Sequence, residues 1–265
     1  KYKIMASTSE KGHAKNVANF RALILICSQL GSQYDPSNED YSLDSLNTIY
    51  KAADAAVKSV DAARGQYVQA IKPRQANFHG LGSLCTRIVK SLNLLRIDAG
   101  VIEAIKGVNR KIQGQKKSGS KFSNDVFEDV VNVNTENGET TVAPVVDTES
   151  SKISSAQLSY DSKLANFRRM IELLSAEPKY IPNEKQLQIV SLNDYYNQLE
   201  NANITAFSTG LQLINARAKR NDILYNNPNN LYRIALDIKD YLLSAIGSNS
   251  PIYKQARKLR FSPGR

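Results

Sequence analysis

Two amphipathic helical stripes, written in nearly the same letters at two places, constrain this chain more than any other feature. Val17, Phe20, Ile24 and Cys27 recur as Leu164, Phe167, Ile171 and Leu174, at a spacing of 147 residues. Steps of three and four residues are the period of a helix with one buried face. The surrounding text repeats as well. Ala18-Asn19-Phe20-Arg21 returns as Ala165-Asn166-Phe167-Arg168. Tyr34-Asp35-Pro36 answers to Tyr180-Ile181-Pro182, Ser45-Leu46-Asn47 to Ser191-Leu192-Asn193, and Tyr50 to Tyr196, now at a spacing of 146. One deletion separates two otherwise aligned copies, and two homologous modules are expected.

The rest of each copy reads as helix. Leu43, Leu46, Tyr50, Ala53, Val57, Val60, Tyr67 and Ile71 keep a three-four rhythm, and so do Ile189, Leu192, Tyr196, Leu199, Ala206 and Leu213. Near-heptad spacing of this length implies neighbours packed nearly parallel to it. The copies disagree at two positions, where Val57 becomes Asn203 and Arg64 becomes Gly210. Proline fits poorly inside a helix, so these helices are expected to end or kink near Pro73 and near Asn226-Asn227-Pro228. A third stripe follows in each copy: Phe78, Leu81, Leu84, Ile88 and Leu92, then Leu231, Ile234, Ile238, Tyr241 and Ala245, with Gly247 as a stop. Asp98 and Ser250-Pro251 carry the capping residues of a short fourth helix. The fold class predicted is all-α: two tandem antiparallel bundles of three main helices plus a short fourth. They occupy residues 1–112 and 153–265, each with a core of its own.

Residues 113–152 break the pattern. Gln113 to Lys121 is polar and rich in Gly and Ser, which suits a flexible linker. Val130-Val131-Asn132-Val133 and Thr140-Thr141-Val142-Ala143 flank Asn137-Gly138, a hairpin signal. The segment is expected either as a disordered linker or as a β-hairpin docked on a module or a neighbouring subunit. Its charge stands apart: residues 123–150 hold seven acids and no base, whereas residues 1–122 carry a net +10 and residues 151–265 a net +7.

Reactive chemistry is sparse. His13 and His79 are the only histidines, and neither lies at metal-ligand spacing from other donors. Gly80-Leu81-Gly82 lacks the strand and third glycine of a phosphate loop and reads as a helix start or kink. No serine sits in a nucleophile elbow, and no paired carboxylates emerge. Tyr34, Tyr50, Tyr180 and Tyr196 read as core rings with a hydroxyl at the rim. Cys27 and Cys85 read as buried thiols, which favours a cytoplasmic setting. No apolar run is long enough to span a membrane, and no hydrophobic region of a signal peptide follows the first lysines. Lys1 is not a methionine, so residues are expected to precede it.

The remaining candidates are basic. Arg110, Lys111, Lys116 and Lys117 cluster at the end of the first module, and Lys254, Arg257, Lys258 and Arg260 at the equivalent end of the second. An anionic partner such as a nucleic acid would be met by such clusters. Solvated helix ends, where cations complement the dipole, have the same composition.

Asn19-Phe20 and Asn166-Phe167, Ala216-Arg217 followed by Arg220-Asn221, Leu224-Tyr225, Ser250 to Lys254 and Leu259-Arg260-Phe261 together resemble a family of duplicated, all-helical bacterial proteins of similar length. The resemblance covers both modules and spares the linker. It implies a fold and a repeat organisation, with no catalytic or binding residue to carry over. The expectation is a non-enzymatic structural protein that assembles with itself, without metal, cofactor or small-molecule ligand. The alternative is a nucleic-acid-associated protein that uses the basic module ends.

Overall fold

In a computed structural model of the chain, residues 8–114 and 159–264 are described. The expected linker, with Lys116, Lys117 and the Asn137-Gly138 hairpin signal, lies outside them. All regular structure among the described residues is helical. The α-helices are α1 (Thr8–Ser28), α2 (Leu43–His79), α3 (Leu81–Leu94), α4 (Ala99–Gln113), α5 (Tyr160–Ser175), α6 (Ile189–Asn221), α7 (Leu231–Ile246) and α8 (Pro251–Lys258).

Local chemistry sets several of the ends. Asp98 caps α4 by accepting from the Gly100 amide, and Gly114 closes it at φ +68°, a conformation that glycine adopts without penalty. Ser159 caps α5 and Asn230 caps α7 through their side chains. Pro251 opens α8 in the first turn, but Ser250 makes no side-chain cap bond. The entry to each long helix uses one device twice. Tyr34 donates its hydroxyl to the Tyr41 carbonyl at 2.6 Å, and Tyr180 donates to the Leu187 carbonyl at 2.8 Å. Each bond ties the turn after the first helix to a 3-10 turn, Glu39–Tyr41 or Lys185–Leu187, just before α2 or α6. Burial drives both phenolic pKa values up, Tyr180 to about 12, so both stay protonated as donors.

Pro73 does not end its helix. α2 runs through it to His79. Pro73 and Gln69 are both exposed, so the proline lies on the solvent side of the helix, where a lost backbone bond is tolerated. Phe78, only 5% exposed, anchors the far end. Phe78 therefore belongs to the last turn of α2 rather than to the third helix, and Gly80 marks the joint.

Packing divides the chain differently from the repeat. The described residues form two compact units: 8–67 with 209–264, and 68–114 with 159–208. The first has a core of Phe20, Leu23, Cys27, Leu46 and Ala53 from the first copy, with Leu231, Ile234, Ile238 and Leu242 from the second. α1 packs there on α7 and α8. The core of the other unit joins Cys85, Ile88, Leu92 and Ile105 of the first copy to Phe167, Met170, Leu174 and Leu199 of the second. α5 packs there on α4. The expected boundaries at 112 and 153, with a separate core in each half, are thus not where burial falls. The physical reason is helix length. α2 has 37 residues and α6 has 33, about three times the usual helix. Each gives one part to one unit and the rest to the other.

The two disagreements between copies have local reasons. Asn203 is 8% exposed, and its side-chain amide donates to Asp161 at 2.6 Å while its oxygen accepts from Arg74 at 3.5 Å. Arg74 in turn stacks 4.3 Å from the Tyr160 ring centre. A valine, as at position 57, would leave Asp161 and Arg74 without this link. At Gly210 a Cβ would stand 3.3 Å from Cε2 of Tyr67. Glycine admits that ring against the helix.

Candidate functional site

The basic residues of the chain end sit on a segment latched from beneath, within the first unit. α8 buries Ala256 and exposes Lys254, Arg257 and Lys258. The chain then leaves the helix in extended form at Leu259. Asn19 of α1 donates its amide to the Arg260 carbonyl at 2.6 Å. Asn16, one helical turn earlier and 1% exposed, donates to the Ser262 carbonyl at 2.8 Å and accepts from the Ser262 amide at 3.0 Å. Its side-chain amide thus imitates a strand partner. Lys239 of α7 donates to the Leu259 carbonyl and lies 5.2 Å from the Phe261 ring centre. Burial lowers its pKa.

Tyr225 underlies the same segment. Its hydroxyl is 3.2 Å from the Asn16 amide nitrogen and 2.7 Å from Nδ1 of His13. Asn16 donates to the phenolic oxygen, which leaves the Tyr225 proton for an unprotonated Nδ1. A Cβ at Gly264 would meet the Tyr225 ring at 2.7 Å, so only glycine passes there. Arg220 is 7% exposed, and its Nε and Nη2 both donate to Asn221 at 3.1 and 2.9 Å. Burial, and secondarily the nearby Arg217 and Arg64, lower its pKa.

Burial, with the Arg220 charge, pushes His13 down from 6.5 to about 4. The unfolded chain therefore takes up this proton more readily than the folded one. The contribution to stability is complete above pH 6.5 and is lost as pH falls toward about 4. Denaturation across that window should cost the wild type more than His13→Gln. Parallel losses would contradict the burial of a neutral imidazole. Asn16→Ala removes both bonds to Ser262 and should cost about 1–3 kcal/mol. Hydrogen exchange should then find the Ser262 amide unprotected while α7 stays protected. An amide that keeps its protection would reject the latch.

The predicted residues fall into separate places. Lys254, Arg257, Lys258 and Arg260 lie within two turns of chain, all exposed, and none is within ion-pairing distance of a carboxylate among the described residues. Arg110 and Lys111 end α4 in the other unit. Lys111 is exposed, but Arg110 is half-buried and paired with Glu103 at 2.9 Å. The latch residues Asn16 and Lys239 were not singled out from the sequence, and His13 entered only as a histidine without metal-ligand neighbours. Asn19 entered as part of the repeat, and Arg220, Asn221 and Tyr225 as marks of resemblance; the structure gathers all four in one unit.

Cavities add little chemistry. An open groove of about 710 Å³ in the second unit is lined by Arg168, Glu172, Tyr196, Asn197 and Glu200. Its charged groups are engaged internally: Arg168 pairs with Glu172 at 3.2 Å, and Tyr196 donates to Glu200 at 3.0 Å. A hollow of about 540 Å³ borders Phe78, His79, Gln113 and Lys163. No group of three or more His, Cys, Asp or Glu side chains among the described residues is placed to hold a metal ion. Cys27 and Cys85 are free and buried in different units, and burial raises their pKa values to about 11 and about 12. They are protonated and poor nucleophiles at neutral pH. No described helix is long and apolar enough to cross a membrane. Comparison of the chain with protein-family models, curated proteins and solved structures finds no match.

Proposed function

We propose that this protein acts by association rather than by catalysis, as a structural protein that assembles with further copies of itself. One observation carries the reading. α6 exposes a file of large apolar side chains: Ile204 at 58%, Phe207 at 66%, Leu211 at 45% and Ile214 at 59%. Isolated exposed hydrophobics are ordinary, but a contiguous file marks an interaction surface. The repeated sequence gives the chain two related sets of helical surfaces. A head-to-tail contact between unlike surfaces builds a ring or filament, and a contact between like surfaces closes as a dimer. Free, buried thiols suit a reducing, cytoplasmic setting. Light scattering after size exclusion, from roughly 5 to 200 μM, tests the proposal. The mass should rise above the 29.4 kDa of one chain as concentration increases. A monodisperse monomer over the whole range, at low and high salt, would overturn it.

A second reading is supported by the exposed cations near the chain end, which have no ion-pair partner among the described residues. Lys254, Arg257, Lys258 and Arg260 offer four exposed positive charges to a nucleic acid. Binding of that kind weakens steeply with salt, with a slope near one per phosphate contact. Alanine at all four positions should abolish it. An affinity that survives this change removes the second reading.

A further inference from the structure

We infer that two copies pair antiparallel along the exposed apolar file of α6, an inference that rests on the association reading above. Ile204, Phe207, Leu211 and Ile214 follow one another by three, four and three residues. These are the a and d positions of a two-stranded coiled-coil seam. The four side chains stand on one continuous helix, so their alignment depends on α6 alone. The file is not a by-product of the repeated fold. The corresponding positions of α2 are Lys58, Asp61, Gly65 and Val68, and Lys58 there is exposed and paired with Asp54.

Charge selects the occupant and its direction. Of the charged residues of α6, Glu200 in its first part and Arg217 in its last turns border this face, whereas Arg220 is buried. A second copy laid antiparallel brings acid against base, whereas a parallel copy brings like against like. With the two-fold axis at Thr209, Ile204 faces Ile214 of the second copy and Phe207 faces Leu211. Glu200 then lies beside Arg217. An antiparallel seam pairs a positions with d positions, and this register does so throughout. The contact is isologous, so it closes as a dimer.

Cysteine cross-linking of the full chain tests the register, because native Cys27 and Cys85 are buried and do not compete. Ser208→Cys, exposed and next to the two-fold axis, should link two copies to each other. Asn201→Cys should not link to itself but should link to Asn215→Cys in a mixture. Phe207→Asp, at an exposed position, should leave the circular dichroism unchanged and weaken dimerisation about 10- to 100-fold. If Asn201→Cys links to itself as readily as Ser208→Cys, the pairing is parallel and the inference falls. If the wild type assembles and Phe207→Asp assembles equally well, another surface is used; the inference falls and the association reading stands. A wild type that stays monomeric overturns both. A monomer in which Ser208→Cys is also shielded from thiol reagents assigns the face to residues 115–158 of its own chain.

Discussion

Phe167→Ala should destabilise the protein by about 3–5 kcal/mol, the usual cost of removing a fully buried ring whose site cannot collapse. The Phe167 ring has no solvent exposure and meets Tyr195 edge-on at a centroid distance of 5.9 Å. Its core also contains Ile88, Ile105 and Ile112, all from the other copy. Loss of the ring therefore loosens α3 and α4 as well as α5. Phe20, equally buried in the first unit, stands in the same relation to Leu231, Ile234 and Ile238 and should respond by a similar amount. A loss of this size is a large share of the stability of an ordinary domain, on the order of 5–15 kcal/mol. Chemical denaturation should register a clear drop in midpoint for either variant. A change below about 1 kcal/mol would mean that the cavity is filled by repacking and that the cores are loose.

The all-helical fold was legible in the sequence because each helix writes its buried face at a period of three to four residues. Phe20, Ile24 and Cys27 are buried as that period predicts, and so are Phe167, Ile171 and Leu174. Capping chemistry at Asp98 and the stop at Gly247 are equally local, and both appear where expected. Periodicity names the buried face of a helix, but not the helix that covers it. α1 has the same stripe whether α3 or α7 lies across it, and the sequence offered no means to choose. The expected end or kink near Pro73 rested on proline's missing donor, and an exposed position made that loss tolerable.

The candidate site divided along the same line. Lys254, Arg257 and Lys258 were found because charge clusters are visible in a string. Asn16 was missed because one asparagine on a helix carries no sign of a partner 246 residues away. Its significance lies in a side-chain amide that pairs with both backbone groups of Ser262. The apolar file on α6 passed unremarked because Ile204, Phe207, Leu211 and Ile214 have the spacing of an ordinary core face. Only their exposure sets them apart.

Sharing of both cores between the two copies makes the second large prediction: separated copies should not fold. Residues 1–114 contain α1 without α7 and α8, and α3 and α4 without α5. Residues 159–265 lack the complementary partners. Each fragment would expose the apolar faces that bury Phe20 and Phe167 in the whole chain, and lone helices of this kind are marginal in water. The decisive measurement is circular dichroism with amide hydrogen exchange on the two fragments, apart and then mixed in equal amounts. The shared cores predict weak helicity and little protection in either fragment alone, with helix and protection recovered on mixing. Two fragments that each unfold cooperatively by themselves, and gain nothing from each other, would contradict it.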